Sequence, residues 1–177
     1  MTTIALMTPQ ELEALKDYGR EQARRFGIPP NGYVALIAAE SSWDPSAVGS
    51  SGELGLAQFM PGTAQDMGVT DRADPQQSLE GGARYLAYLR DYVTEYAPEL
   101  QGAQVWSAVL ACYNWGLGNW GNAYDDLGDD WIARAPQITV SYISRLLPSF
   151  ATNEPDTKKG LNIGILLAVL AGAFLLS

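Results

Sequence analysis

Glu40 closes a short apolar run, Val34-Ala35-Leu36-Ile37-Ala38-Ala39, and Ser41-Ser42-Trp43-Asp44-Pro45 and a glycine-rich loop follow it at once. A carboxyl at the end of an apolar helix is short of water and lies near the negative end of the helix dipole, and both raise its pKa. A carboxyl that stays protonated near neutral pH is the group needed to protonate a glycosidic oxygen. The same Glu could instead end its helix and face water, since Glu is seldom buried without a partner. Other nucleophilic chemistry is poorly supplied. The chain has no His and a single Cys112, which excludes an intrachain disulfide and leaves a thiol without an imidazole base. Cys112 therefore reads as a small core residue, and Ser41 as a brace for the loop.

The elements that must position Glu40 are legible from caps and periodicity. Thr8-Pro9-Gln10-Glu11 forms a capping box with Pro at the first helical position. Leu12, Leu15 and Phe26 mark an amphipathic helix that stops at Gly27-Ile28-Pro29-Pro30. Asn31 is expected to cap the helix that ends near Glu40. Residues 44–57 carry the composition of a loop. Thr63 is expected to cap a short helix to about Gly68. Asp74-Pro75-Gln76-Gln77 repeats the capping-box pattern and opens a helix to about Tyr96, with Leu79, Ala83, Leu86, Leu89 and Val93 on one face. Residues 103–114 form an apolar central helix broken by Gly116, Gly118 and Gly121, with shorter helical pieces at 119–126 and 129–134. Pro136 starts a last helix that ends by Pro148. No stretch alternates over five or more residues, so strands are few or absent.

Composition narrows the partners. The chain has 177 residues, room for one domain and an appendage, and a net charge of −9, which argues against nucleic acid as a ligand. No metal or organic cofactor is called for. Met1 to Met7 lacks the charged region and apolar core of a secretory signal. Residues 150–160 are polar and proline-bearing, the composition of a linker, and residues 161–176 are apolar on every face apart from Asn162. Such a segment reads as a transmembrane anchor slightly short of the ~30 Å hydrocarbon core, or else as a buried terminal helix. Lys158-Lys159 at its near end would favour a cytoplasmic domain by the positive-inside tendency.

Three blocks of residues resemble the signature of soluble-type lytic transglycosylases, the goose-lysozyme-like enzymes that cleave peptidoglycan. The first is Glu40-Ser41, Trp43, Asp44-Pro45, Ala47, Gly52, Gly55-Leu56, Gln58, Met60-Pro61 and Thr63-Ala64. The second is Ala111-Cys112-Tyr113-Asn114-Trp115-Gly116-Leu117-Gly118, and the third is Pro136, Thr139, Tyr142 and Ile143. The resemblance covers roughly residues 28–147. It implies a mainly α, lysozyme-like domain over residues 1–149, followed by the linker at 150–160 and the anchor at 161–177.

It also implies roles. Glu40 would act as acid and then as base in cleaving the bond between N-acetylmuramic acid and N-acetylglucosamine, with closure of a 1,6-anhydro ring. Gln58 and Asn114 would hold sugar hydroxyls or N-acetyl groups through amide donors and acceptors. Tyr113 would hydrogen-bond Glu40 or the acetamido group, Met60 and Trp43 would wall the groove, and Trp115 and Trp120 would stack on sugars. Trp43, Trp106 and Trp131 are equally readable as core.

The pattern departs from the family at three places. The family's Ser nine residues after the Glu is Gly49 here, with Ser50 and Ser51 adjacent and Ser50 the candidate to take its part. The Ala after the first loop glycine is Glu53, a second carboxylate that could perturb Glu40, activate water, or simply be a solvated surface side chain. The Glu of the third block is Ile138. The alternatives are thus a muramidase of the same fold that uses water, and a non-catalytic glycan-binding membrane protein. The expected partners are peptidoglycan strands and, through the anchor, a membrane. A phage virion with an internal membrane would carry such an enzyme into the periplasm during host entry.

Overall fold

A computed structural model describes residues 7–151. These residues contain seven α-helices and one 3-10 segment: α1 (Pro9–Arg25), α2 (Pro30–Ser41), α3 (Pro61–Asp66), α4 (Pro75–Tyr96), α5 (Ala103–Trp115), α6 (Leu117–Leu127), the 3-10 segment Gly128–Arg134, and α7 (Gln137–Ala151). Strand pairing among the described residues is limited to two isolated antiparallel bridges, Val48 with Leu54 and Leu54 with Phe59. The chain divides into two compact units, Met1–Tyr85 and Leu86–Ser177, with the boundary inside α4.

In the first unit α1 opens with both halves of its capping box, Thr8 accepting from the Glu11 N–H and Glu11 accepting from the Thr8 N–H. α1 packs on α2. α2 begins two residues earlier than Asn31 predicts: Pro30 takes the first helical position and Pro29 the cap, with no side-chain cap bond. Proline already has the helical φ and no N–H to satisfy, so no Asn cap is needed. Tyr33, Leu36 and Ile37 are fully buried. Gly82 leaves the room this needs, since a Cβ built there would lie 2.5 Å from the Tyr33 hydroxyl, which donates to the Leu79 carbonyl at 2.6 Å. α3 starts at Pro61 behind Met60, so Thr63 lies inside the helix rather than capping it. Asp74 caps α4 as expected, accepting from the Gln77 N–H at 2.8 Å. The Gln77 amide oxygen turns the other way and accepts from Thr70 and Asp71.

In the second unit α5 is buried from Val105 to Cys112, packs on α6 and α7, and ends at Gly116. Gly116 alone interrupts the helical run. Gly118 and Gly121 lie within α6, which is longer than expected, and the 3-10 segment packs on α6. α7 runs past Pro148 to Ala151, and Phe150 is buried against Trp106 with ring centroids 5.0 Å apart. Near a helix end a proline costs little if packing holds the turn, and the buried Phe150 supplies that packing. Leu79, Ala83, Leu86, Leu89 and Val93 are all fully buried, as their spacing predicts.

The expected fold class needs one correction. No helix among the described residues is long and apolar enough to cross a membrane, so the fold is mainly α and carries no membrane-spanning element there. The segment 161–177, from which the anchor was inferred, lies outside the described residues. All-round apolarity over so short a run does not by itself distinguish a spanning helix from a buried one. The virion-membrane setting rested on that segment alone.

Candidate active site

Glu40 sits in the last turn of α2, three and four residues beyond the buried Ile37 and Leu36 and seven beyond Tyr33. That spacing puts it on the helix face that is buried, at its edge, and the residue is half-buried. Ser41 is buried, its hydroxyl donating back to the Ile37 carbonyl. The chain then leaves the helix through two consecutive left-handed residues, Ser42 (φ 53°) and Trp43 (φ 66°). Gln58 (φ 49°) is the third non-glycine left-handed residue among those described. Such residues cost of order 1 kcal/mol each and persist where the surroundings over-determine them. Trp43 shows how: it is 6% exposed, and a Cβ built on Gly19 of α1 would lie 3.5 Å from its indole and 3.6 Å from Leu79. It is a core residue, not a groove wall.

The loop after Trp43 is closed by its own polar groups. Asp44 Oδ1 accepts from the Ser46 N–H and hydroxyl at 2.8 and 2.7 Å, and these bonds, the hydroxyl first, hold the Asp44 carboxyl below the usual carboxylate range. The Gly49 N–H donates to the Glu53 carbonyl at 2.8 Å, and the Gly55 N–H to the Ala47 carbonyl at 3.0 Å. The Gln58 side-chain nitrogen donates to the Ala47 and Gly55 carbonyls at 3.0 and 2.8 Å. Both of its N–H groups are thereby used. Gln58 can offer a sugar only its Oε1, as an acceptor, rather than the mixed amide expected from sequence.

Two residues that sequence reasoning passed over clamp this loop. Arg72 donates from Nη1 to the Gly52 and Phe59 carbonyls at 2.9 and 2.7 Å. Ser78, fully buried on α4, accepts from the Ala57 N–H at 3.0 Å. Neither lies near the signature in sequence, and no periodicity marks them. Glu53 is the second carboxylate for which the sequence leaves three readings open. It is half-buried, its Oε2 accepting from the Ser51 N–H at 2.9 Å. Ser50 is exposed at the tip of the turn. Met60 is 43% exposed, and its neighbour Phe59 is buried.

In the second unit Tyr113, Asn114 and Trp115 form the last turn of α5. Tyr113 and Trp115 are half-buried and Asn114 is exposed. The Thr139 hydroxyl, itself 1% exposed, donates to Asn114 Oδ1 at 2.8 Å. This joins the second and third blocks and leaves the Asn114 amide hydrogens as donors. Trp120 cannot stack on a sugar: it is fully buried, stacked on Tyr124 at 5.3 Å and edge-on to Trp131 and Tyr96. Trp106 and Trp131 are core as well. Cys112 is buried, and desolvation pushes its thiol up to about 12, so it supplies no thiolate near neutral pH. Ile138, where the family has a carboxylate, is 75% exposed and offers no acid-base group.

A helical domain of this kind, with a half-buried Glu ending an apolar helix ahead of a clamped glycine-rich loop, is consistent with the lysozyme-like class. Residues 17–130 match the transglycosylase SLT domain, and the chain belongs to that family. It is 36% identical over 118 residues to the membrane-bound lytic murein transglycosylase F of Pseudomonas fluorescens, a match covering 67% of this chain and 24% of the relative. It is 43% identical over 107 residues to the protein of the same name from Salmonella arizonae, covering 60% and 19%. The membrane-bound lytic murein transglycosylase F 2 of Alkalilimnicola ehrlichii is 40% identical over 110 residues, covering 59% and 24%. The chain thus spans about a fifth to a quarter of the length of these relatives.

Proposed function

We propose that the chain is a lytic transglycosylase acting on peptidoglycan, with Glu40 as its one acid-base group. The observation that carries this is the placement of Glu40 on the buried face of α2, half-buried, where the chain turns through Ser42 and Trp43 into the clamped loop. The reaction conserves its proton. Glu40 donates to the glycosidic oxygen, the bond from that oxygen to C1 of N-acetylmuramic acid breaks, and the acetamido oxygen stabilises the charge at C1. The Glu40 carboxylate then takes the proton of the C6 hydroxyl as O6 bonds to C1, which closes the 1,6-anhydro ring and restores the acid. No water is consumed.

Gln58 Oε1 accepts and the Asn114 amide donates to sugar groups, Tyr113 adds a phenol, Met60 and Trp115 add apolar surface, and Ser50 adds a hydroxyl at the turn. The domain that does this spans residues 1–149. The alternative is hydrolysis with Glu53 activating water; Glu53 Oε2 accepts from the Ser51 N–H at 2.9 Å. The relatives are named murein transglycosylases, in keeping with a cell-wall substrate. The test is digestion of purified peptidoglycan by the full chain and by Glu40→Gln, with mass spectrometry of the products. Anhydro-muramic ends from the wild type and none from the variant are expected. Reducing ends heavier by one water would replace the lyase with a muramidase, and equal lysis by both proteins would remove Glu40 from the chemistry.

A further inference from the structure

The turn from Gly49 to Glu53 folds residue 53 back over residue 49. Its closure is the bond from the Gly49 N–H to the Glu53 carbonyl, 2.8 Å, with the Gly52 N–H donating to the Gly49 carbonyl at 3.3 Å. A Cβ built on Gly49 would lie 2.3 Å from Glu53 Oε2 and 2.9 Å from Gln58 Oε1. The space that a side chain at position 49 would use is therefore filled by the carboxylate of residue 53. The Ser51 N–H holds that carboxylate in place at 2.9 Å. A Ser at 49 would bring a hydroxyl to this point from one side of the turn, and here a carboxylate reaches it from the other. Two oxygens, from Glu53 and Gln58, thus lie close to that point. Both are acceptors, because an ionised carboxylate has no hydrogen to give and the Gln58 N–H groups are already bonded to Ala47 and Gly55.

We propose that Glu53 is a substrate-positioning residue of this site: its carboxylate stands in for the side chain absent at Gly49 and, with Gln58 Oε1, binds a hydrogen-bond donor of the glycan, an N-acetyl N–H or a hydroxyl. The assignment rests on the glycan-cleaving reading above. A carboxylate and a serine hydroxyl differ in one respect that matters here: the serine can donate as well as accept, whereas the Glu53–Gln58 pair accepts only. The subsite therefore selects donors.

The experiment is a set of full-length variants: Glu53→Ala, Gly49→Ser, the double Gly49→Ser/Glu53→Ala, and the double Gly49→Ala/Glu53→Ala. Each is measured for kcat and KM on peptidoglycan suspensions and for Tm, with wild type and Glu40→Gln as references. Loss of a hydrogen bond to a charged acceptor lowers kcat/KM of Glu53→Ala roughly 10- to 100-fold. Gly49→Ser also loses activity, because its side chain meets the Glu53 carboxylate. The serine double recovers most of the wild-type rate, since an oxygen returns to the same place. The alanine double fills the space without an oxygen and stays low.

Equal recovery by both doubles, or wild-type kinetics in Glu53→Ala, would reduce Glu53 to a space-filling residue and overturn the proposal. Should the wild type cleave nothing, the enzymatic reading fails on its own. The same set is then compared by calorimetry with a β-1,4-linked N-acetylglucosamine tetramer. Binding lost in Glu53→Ala and regained only in the serine double upholds the assignment; binding indifferent to Glu53 ends it.

Discussion

Replacing Gly55 by alanine tests whether the loop after Glu40 is held by close backbone approach. Gly55 has φ +83°, and a Cβ built on it would lie 1.9 Å from the Arg72 carbonyl oxygen. That is far inside the ~3.5 Å at which non-bonded heavy atoms meet without repulsion, and the obstacle is backbone, which cannot rotate away. Gly52 is the control: its φ is +93°, and nothing lies within 4 Å of its built Cβ. Alanine at Gly52 incurs the left-handed penalty alone, about 1–2 kcal/mol. Alanine at Gly55 incurs the same penalty, an overpacking term of about 1–3 kcal/mol, and about 1 kcal/mol for a weakened hydrogen bond. The exposed bonds are those from the Gly55 N–H to Ala47 and from Gln58 to the Gly55 carbonyl, all between 2.8 and 3.1 Å. The totals are about 1–2 against about 3–6 kcal/mol. At about 2–4 °C per kcal/mol for a domain of this size, Gly52→Ala lowers Tm by about 4 °C and Gly55→Ala by about 10 °C or more. Thermal melts followed by circular dichroism give both values in one experiment. Equal drops for the two variants would show that the approach to Arg72 does not constrain the loop.

Ser78→Ala removes the hydroxyl that accepts from the Ala57 N–H in the buried interior, and chemical denaturation should show a loss of about 1–2 kcal/mol. Asp44 predicts a pH dependence. Its folded pKa is lowered by the Ser46 hydroxyl and N–H, so its contribution to stability is complete above the unfolded carboxylate range and is lost as pH falls through the lower folded value. Wild type is therefore more stable than Ser46→Ala at pH 6, and the two converge as the solution is acidified below about pH 3. Thr139→Val deprives Asn114 Oδ1 of its donor without removing volume; kcat/KM on peptidoglycan should fall about fivefold, the equivalent of about 1 kcal/mol, with Tm little changed. Cys112, buried and with its thiol pushed up to about 12, should resist an aromatic disulfide reagent at pH 8 in the folded chain and react at once in denaturant.

What could be read from the chain was what local chemistry decides. Thr8 with Glu11 and Asp74 with Gln77 set two helix starts because the capping bond spans three residues of sequence. The α4 core stripe followed from its spacing. Errors arose where tertiary packing overrides a local signal. Asn31 is a good cap, but Pro30 starts the helix before it. Gly118 and Gly121 read as breakers, yet α6 carries both, anchored by the fully buried Trp120 between them. Pro148 read as an end, yet the turn beyond it is held by Phe150 on Trp106. Among the candidate site residues, the sequence pointed to Glu40, Gln58 and Asn114, but not to which hydrogens the two amides have left. Gln58 gives both of its own to the loop, and Asn114 has its oxygen occupied by Thr139. Those allocations depend on carbonyls and hydroxyls brought from elsewhere, as do the clamps from Arg72 and Ser78.

The three left-handed non-glycine residues bear on why the loop needs such clamps. A relaxed chain would put glycine at positions 42, 43 and 58, saving of order 1 kcal/mol at each. At Trp43 that exchange would empty a buried site where the indole lies against Gly19, and deleting a buried aromatic costs about 3–5 kcal/mol. The packing exceeds the strain, so the strained backbone is the stable solution. At Gln58 the balance is closer, because the compensation is two side-chain bonds to Ala47 and Gly55, each contributing about 1 kcal/mol. Gln58 is thus the weaker of the two restraints. Perturbing Arg72 or Ser78 should therefore loosen the loop from the Gln58 end first, while Trp43 keeps the turn out of α2, and with it the backbone that carries Glu40, in place.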